Sequence, residues 1–272
     1  MKEYLERVRS TGPMIHNITN YVTANDVANL LLACGASPIM SDESDEVEEI
    51  TARCDGLNLN MGTIHKDRIP VMCKAGKMAN QKGHPVLLDP VGICASRFRQ
   101  EAASRLIQEV HFSAIRGNAS ELKMLMEGKG HASGVDAALS DGITRENLME
   151  NIAVLKNYAA TSKCIVAATG AIDLVADADR CYVIRNGCSQ MSKVTGTGCQ
   201  LSALITAFLA ASPKEPLEAV AAAVCTMGVA GELAWSRMKE TDGNATYRNR
   251  IIDAVSQMTG EELERGADYE VQ

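Results

Sequence analysis

Residues 194–199 combine side chains and a turn that could perform chemistry at the start of a helix. Their sequence is VTGTGC, and residues 200–209 that follow have apolar side chains at helical spacing. Gly196 and Gly198 carry no side chain, so backbone N–H groups stay unpaired at the positive end of the predicted helix dipole. Such a turn suits a phosphoryl group or a developing oxyanion. It is also expected to lower the pKa of Cys199, which would make that thiol a base.

The glycine turn alone is equally typical of a tight strand-to-helix connection with a buried cysteine. Two carboxylates, Asp89 and Glu121, add to the evidence because each comes at the end of or after a predicted strand. In an open α/β sheet this is the edge where ligands bind. Asp89 could instead be a turn residue before Pro90. Glu121 could stabilise the first turn of its own helix, with Asn118 as the N-cap.

Two further polar residues follow predicted strands. Arg116 comes after the strand predicted over 112–115, where a guanidinium can bind phosphate oxygens in a bidentate manner. Thr169 comes after the strand predicted over 164–168, and the Gly170 that follows leaves room for a ligand. A surface arginine and a plain Thr-Gly turn remain alternatives.

The elements that position these residues alternate along the chain. Short apolar runs predict strands, and apolar residues three or four apart predict helices between them. Nearly continuous apolar strands that alternate with helices indicate a mostly parallel sheet covered on both faces, an α/β fold. The predicted strands are 37–40, 57–61, 85–89, 112–115, 164–168, 174–176 and 181–184, and the predicted helices include 21–34, 45–54, 68–82 and 97–110.

The continuous alternation of strands and helices predicts a single domain over residues 1–272. Residues 128–142, rich in Gly, Ala, Ser and Asp, predict a loop, but strand–helix alternation resumes on both sides. The small-residue stretch 219–225 predicts a helix in a buried layer or an oligomer contact.

Composition excludes several classes of protein. The net charge of −7 disfavours a nucleic-acid binder, which needs a basic face. The charged N-terminus has no apolar core of a signal peptide, and no apolar run predicts a membrane span, so we expect no membrane partner. The nine cysteines form no C-x-x-C pair, which favours free thiols in a reducing cytoplasm over disulfides or structural zinc.

Several blocks together give the chain a family resemblance over about residues 12–235. The chain resembles the hydroxyethylthiazole kinase family, a group of thiamin-salvage enzymes in the ribokinase-like superfamily. The blocks are 16–22 (HNITNYV), 35–40 (GASPIM), 88–92 (LDPVG), 115–121 (IRGNASE), 169–170 (TG) and 194–199.

The resemblance implies a fold and an activity. The fold would be the ribokinase-like three-layer α/β/α arrangement around a mostly parallel sheet. The reaction would be the ATP- and Mg²⁺-dependent phosphorylation of the hydroxyl of 4-methyl-5-(2-hydroxyethyl)thiazole. Members of the family are trimers whose thiazole pockets lie between subunits, so a homotrimer is expected.

The resemblance also implies roles for the residues above. Cys199 stands where most ribokinase-like kinases carry an aspartate base, and a cysteine is typical of this family. Asp89 and Glu121 would belong to the magnesium and phosphate network, since hard carboxylates suit an ion that keeps several waters. Arg116 and Thr169 would contact ATP.

On the substrate side, Met40 and Gly196 match positions that contact the thiazole, and Asn20 and Asn25 lie in a segment that helps form its pocket. A polarisable methionine suits a sulfur-containing ring. The alternatives are a core residue at a strand end for Met40, and an N-cap and solvated helix face for the asparagines.

The chain also departs from the family pattern. Residues 92–95 read GICA where a Gly-Val-Gly-type sequence is usual, Thr197 replaces a frequent alanine, and 242–247 (DGNATY) replaces a Gly-Pro-Gly-Ser/Thr-Phe stretch. The last departure leaves the role of that segment open. Other kinases of the superfamily, for hydroxymethylpyrimidine or pyridoxal, and the dehydratase that repairs hydrated nicotinamide nucleotides generally carry an aspartate at the position of Cys199. An inactive relative that binds thiazole or nucleotide is the remaining alternative.

Overall fold

The computed structural model describes residues 1–128, 139 and 142–272. The loop predicted over 128–142 lies largely outside the described residues. Within them, the strands in chain order are β1 (Met14–Ile18), β2 (Ser37–Met40), β3 (Gly56–Asn60), β4 (Val86–Asp89), β5 (Ala114–Asn118), β6 (Ile165–Thr169), β7 (Asp173–Ala176), β8 (Cys181–Ile184) and β9 (Tyr269–Val271).

These strands form one sheet in the order β2-β1-β3-β4-β5-β6-β7-β8-β9. The six strands from β2 to β6 in this order are parallel, and β7, β8 and β9 continue the sheet in antiparallel pairs. The carboxyl ends of the parallel strands therefore meet at one edge, as the strand–helix alternation predicts.

The helices cover both faces of the sheet. In chain order they are α1 (Lys2–Thr11), α2 (Ala24–Cys34), α3 (Val47–Arg53), α4 (Arg68–Lys82), α5 (Arg97–Glu109), α6 (Ala119–Gly128), α7 (Leu148–Ser162), α8 (Thr197–Ala211), α9 (Pro216–Ser236), α10 (Asn244–Gln257) and α11 (Gly260–Gly266). Short 3₁₀ helices span Ile93–Ala95 and Ser189–Lys193.

Two hydrophobic clusters separate the layers. One joins the sheet to α1, α2 and α8–α11, and the other joins it to α3–α7. Successive residues of β4 alternate between them: Leu87 belongs to the first, Val86 and Leu88 to the second. The predicted three-layer α/β/α fold is confirmed.

Helix α9 is the centre of the first helical layer. By length and composition it could cross a membrane, but 83% of its apolar window is buried inside the fold. It includes the small-residue stretch 219–225, whose side chains are buried. Small side chains let neighbouring elements approach closely, so the prediction of a buried layer is confirmed.

The main differences from prediction lie at β1 and β5, two strands that contain polar residues. We did not predict β1, because His16 and Asn17 interrupt its apolar pattern. Both are buried and hydrogen-bonded, His16 to Thr51 Oγ1 at 2.8 Å and to the carbonyl of Ser41 at 3.0 Å. Strand β5 also runs to Asn118, so Arg116 lies within a strand rather than after one.

Candidate active site

Arg116 is the centre of a polar cluster at the carboxyl edge of the sheet. Its Nη2 donates a hydrogen bond to Thr169 Oγ1 at 2.9 Å, and its Nη1 lies 3.5 Å from Asp89 Oδ1. A Cβ at Gly198 would lie 2.5 Å from Arg116 Nη2, so the guanidinium lies directly against the first turn of α8. The fold thus brings Asp89, Arg116, Thr169 and the glycine turn together.

Asp89 ends β4 and is fully buried. Its Oδ2 accepts hydrogen bonds from Asn60 Nδ2 at 2.8 Å and Ser202 Oγ at 2.7 Å. Its Oδ1 has no hydrogen-bond partner among the described residues. Burial raises the pKa of the Asp89 carboxyl, and the charge of Arg116 opposes that rise. The Oδ1 oxygen faces Arg116 Nη1, and a buried carboxylate oxygen of this kind can also bind a cation or accept from an ordered water.

Glu121 caps the start of α6 and also contacts the loop after β4. Its Oε2 accepts from the backbone N–H of Asn118 at 3.0 Å, and Asn118 Oδ1 accepts from the N–H of Glu121 at 2.9 Å. This reciprocal pair is a capping box, so the structural alternative for Glu121 is confirmed. Its Oε1 accepts from the N–H of Gly92 at 2.9 Å, which fixes the loop after β4.

The described residues contain no group of three or more His, Cys, Asp or Glu side chains arranged to hold a metal ion. Asp89 and Glu121 are close enough for the charge of Glu121 to raise the pKa of the Asp89 carboxyl.

Cys199 lies in the first turn of α8 and is only 8% exposed. Burial raises the pKa of its thiol, and the nearby charge of Asp89 raises it further. The expectation of a lowered pKa is therefore wrong, because the cost of removing the thiolate from water exceeds the stabilisation from nearby hydrogen bonds and from Arg116. Asn20 Nδ2 donates to Cys199 Sγ at 3.3 Å.

Asn20 connects the thiol of Cys199 to Asn60, which in turn donates to Asp89. Its Nδ2 also lies 3.0 Å from Asn60 Oδ1, and its Oδ1 accepts from the N–H and the hydroxyl of Thr23, each at 3.1 Å. Gly196 has φ of 89°, and a Cβ there would lie 2.4 Å from Thr23 Cγ2. Asn20, Gly196 and Cys199 therefore share one side of the site.

The other two predicted substrate residues lie further out. Met40 ends β2, the edge strand that is separated from β4 by β1 and β3, and is 38% exposed. Asn25 lies on α2, where its Oδ1 accepts from Asn29 Nδ2 at 3.1 Å. Neither side chain has a hydrogen bond to the cluster around Arg116 among the described residues.

A cavity of about 700 Å³ opens beside Arg116. Arg116, Thr169, Gly170 and Gly198 line one side, and residues of 186–192 with Val224, Met227 and Gly228 line the other. Asp173, at the start of β7, also lines the cavity. Burial raises the pKa of Asp173 to about 7. A hydrogen bond from the N–H of Gly170 and the charge of Arg116 oppose this rise. The volume is in the range of small-molecule and cofactor sites.

Three side chains of this cluster were missed from the sequence: Asn60, Ser202 and Asp173. Asn60 lies inside the predicted strand 57–61, whose Leu-Asn-Leu-Asn alternation marks two polar side chains on one face. Ser202 follows Cys199 by three residues, which places it on the same face of a helix. Asp173 follows the Thr-Gly turn by three residues, a spacing typical of a carboxylate that closes a turn.

Comparison with known proteins identifies the family. The sequence model of the hydroxyethylthiazole kinase family matches residues 5–261. The chain is 53% identical to the hydroxyethylthiazole kinase of Clostridium acetobutylicum over 270 residues, covering 99% of each chain. It is 42% identical to that of Clostridium beijerinckii, covering 96% of this chain and 93% of the relative.

Solved structures agree with the sequence comparison. The hydroxyethylthiazole kinase protein of Pyrococcus horikoshii superposes with a TM-score of 0.88 at 32% identity, covering 100% of this chain and 98% of that one. A ribokinase-like superfamily protein of Enterococcus faecalis (TM-score 0.64, 13% identity, 98% of this chain and 95% of that one) shares the fold alone. The pyridoxal kinase of Staphylococcus aureus (0.62, 16%, 95% and 97%) likewise shares only the fold. The chain has the ribokinase-like fold and belongs to the hydroxyethylthiazole kinase family.

Proposed function

We propose that this kinase transfers the γ-phosphoryl group of ATP to the hydroxyl of 4-methyl-5-(2-hydroxyethyl)thiazole, with Mg²⁺, in thiamin salvage. The observation that carries the proposal is the position of Arg116 between Thr169, Asp89 and the first turn of α8. The Arg116 guanidinium lines the 700 Å³ cavity, and its charge also acts on the thiol of Cys199. Phosphoryl transfer depends mainly on such positioning and charge stabilisation.

The cavity is the ATP site in this proposal. Arg116 and Thr169 hold phosphate oxygens, and the unpaired N–H groups at the start of α8 add donors aligned with the helix dipole. The wall opposite, from residues 186–192 and α9, is partly apolar and takes the base. Gly198 is required because any side chain there would displace the guanidinium.

Asp89 and Glu121 fit a magnesium ion held largely through water. Asp89 Oδ1 is buried without a hydrogen-bond donor among the described residues, and each Glu121 oxygen accepts one backbone N–H and keeps a lone pair. When bound, the ion neutralises charge on the phosphates. Asn60 and Ser202 hold the Asp89 carboxylate in place through its other oxygen.

Cys199 orients the hydroxyl of the acceptor in this proposal. Because burial raises the pKa of its thiol, the residue is neutral near pH 7 and acts mainly as a hydrogen-bonding partner. A loose transition state requires little from a base beyond orientation of the acceptor hydroxyl. Asn20 supports the thiol, and Gly196 leaves room beside it for the thiazole.

The outer part of the thiazole pocket is assigned to Asn25 and Met40, with a second subunit completing it in a homotrimer. Tyr21 and Val22 support this, since they are 71% and 59% exposed in the single chain and precede α2. We further infer a single kinase domain over 1–272, because one sheet takes strands from Met14 to Val271. The nine free cysteines favour a cytoplasmic location.

A coupled ADP-release assay tests the proposed function. The purified chain is given ATP and Mg²⁺ with hydroxyethylthiazole, hydroxymethylpyrimidine or pyridoxal in parallel. We expect turnover with hydroxyethylthiazole at a kcat/KM well above that for the other two. Turnover of only the other two would refute the thiazole assignment, and no turnover of any would favour a binding protein.

A further inference from the structure

Residues 186–192, here called the cavity-wall segment, form the side of the cavity opposite Arg116. The segment begins two residues after β8 ends. Its lining residues are Asn186, Gly187, Cys188, Ser189, Met191 and Ser192. Its second half belongs to the 3₁₀ helix Ser189–Lys193, whereas residues 186–188 lie in no helix or strand and need other contacts to hold their shape.

Two glycines of α9 provide the surface on which this segment lies. Gly228 and Gly231 are three residues apart and so lie on one face of the helix. A Cβ at Gly228 would lie 2.5 Å from the Asn186 Cβ and 2.8 Å from its carbonyl carbon. A Cβ at Gly231 would lie 2.3 Å from Met191 Sδ. The segment therefore lies in direct contact with the backbone of α9.

Glu232, the next residue of α9, holds the start of the segment. Its Oε1 accepts a hydrogen bond from the N–H of Gly187 at 2.6 Å and another from Asn186 Nδ2 at 3.3 Å. Gly187 has φ of 109°, a conformation that few other residues adopt, so its N–H is presented to the carboxylate by an unusual backbone geometry. Hydrogen bonds to an ionised carboxylate are about twice as strong as neutral ones.

Residues that follow α9 in the chain also form hydrogen bonds with the cavity-wall segment. Asn186 Nδ2 donates to the carbonyl of Gly266, and Asn186 Oδ1 accepts from the N–H of Asp268, both at 2.8 Å. The buried Tyr247 hydroxyl donates to the carbonyl of Gly231 at 3.0 Å and lies 3.1 Å from Cys188 Sγ. Asn244 Nδ2 donates to the carbonyl of Lys193, the residue that follows the segment, at 3.0 Å.

From these contacts we propose that Glu232 is a positioning residue for the nucleotide: it fixes the cavity-wall segment on α9 before the nucleotide binds. The inference rests on the proposed use of the cavity for ATP. A wall that had to become ordered on binding would cost affinity, whereas a wall already held by Glu232 does not. The divergent segment 242–247 contributes to the same wall through Asn244 and Tyr247.

Substitutions of Glu232 test this role. Glu232→Ala removes the acceptor of the Gly187 N–H, and we expect the KM for ATP and the Kd for ADP to rise about tenfold, the effect of losing one partly buried charge-assisted hydrogen bond. The kcat and the KM for the thiazole stay within about twofold of wild type. Glu232→Gln keeps an oxygen acceptor and restores most of the ADP affinity. Glu232→Asp keeps the charge, but its side chain is one methylene shorter, so its affinity lies between wild type and Glu232→Ala.

Glu218→Ala is the matched control, because Glu218 lies on the same helix and pairs with Arg180 Nη1 at 2.6 Å away from the segment. It removes the same charge and leaves the Kd for ADP unchanged. Calorimetry with ADP and steady-state kinetics measure both quantities. The role of Glu232 is refuted if Glu232→Ala and Glu232→Asp bind ADP as tightly as Glu218→Ala, or if kcat and both KM values change together with the melting temperature. Failure of the wild type to bind ADP would instead refute the proposed function.

Discussion

At Cys199, burial and the charge of Asp89 raise the pKa of the thiol, hydrogen bonds to Asn60 and Thr23 and the charge of Arg116 lower it, and burial is the largest effect. The proposed role is therefore orientation of the acceptor by a neutral thiol. We expect Cys199→Ala to lower kcat about ten- to a hundredfold, toward the lower end of general acid–base effects, because a loose transition state needs little proton transfer. The KM values for ATP and thiazole change little. Steady-state kinetics of the purified variant measure all three.

Cys54→Ala is the control for the loss of a buried thiol. Cys54 is buried at the end of α3, outside the cluster around Arg116. It should lower the melting temperature without changing kcat. An unchanged kcat in Cys199→Ala would reduce Cys199 to a packing residue.

Asp173 gives the site a pH dependence of stability. Its pKa rises from the usual 3.8 to about 7 in the fold, so the folded chain binds this proton more tightly than the unfolded chain. Its contribution to stability is complete below the lower value and is lost as the pH rises to the upper one. Asp173→Asn cannot ionise, yet its amide oxygen can still accept from the N–H of Gly170.

We therefore expect the melting temperature of Asp173→Asn, relative to wild type, to increase as the pH rises from about 4 to about 7, and then to stay level. Thermal melts of both proteins across this range measure the difference. A difference that does not vary with pH would show that Asp173 has an ordinary pKa.

Among the elements, α8 places a glycine where the site needs space. A Cβ at Gly198 would lie 2.5 Å from Arg116 Nη2, the far end of a flexible side chain. The guanidinium can move, but moving it breaks its contacts with Thr169 and Asp89. Gly198→Ala should therefore still fold, with a melting temperature equal to or below that of wild type. We expect its KM for ATP to rise about tenfold, because Arg116 is displaced from the phosphates.

Gly142→Ala is the matched control, since a Cβ there would meet no atom within 4 Å beyond its chain neighbours and Gly142 does not line the cavity. Its KM for ATP should equal that of wild type. If Gly198→Ala retained wild-type ATP kinetics, the guanidinium would have no part in phosphate binding.

The elements also explain which parts of the fold could be predicted. Helix α4 was predicted with its observed bounds, because its apolar residues recur at helical spacing and Gly83 ends it with φ of 71°. Strands β1 and β9 were missed. In β1 the His16 ring and the Asn17 side-chain oxygen form hydrogen bonds with distant partners, which no local pattern reveals.

The same limit applies to the site. Asp89, Arg116, Thr169 and the turn before α8 were predicted together, because strand ends and a glycine turn are local signals. The cavity-wall segment and Glu232 were not, since their contact joins residues 45 positions apart in the sequence.

At the scale of the whole molecule, the proposed pocket needs a second subunit. We expect light scattering after gel filtration to give three times the 29.1 kDa of one chain. Val22→Glu places a charge in the exposed apolar stretch before α2, so it should give a smaller species with weaker thiazole binding. Met149→Glu, on α7 and 64% exposed, is the control and should leave the mass unchanged. A fully active wild-type monomer would contradict the proposed pocket between subunits.

The pairing of β8 with β9 has a consequence for synthesis of the protein on the ribosome. Tyr182 of β8 pairs with Val271 of β9, 89 positions further along the chain. At translation rates of roughly 5–20 residues per second, β8 waits on the order of ten seconds for this neighbour. During that time its apolar residues and unpaired N–H and C=O groups form an open sheet edge, a site where nascent chains can associate with one another. Strand β9 thus covers the edge that β8 leaves open during synthesis, and a chaperone that covers Cys181–Ile184 during translation would protect the newly made enzyme.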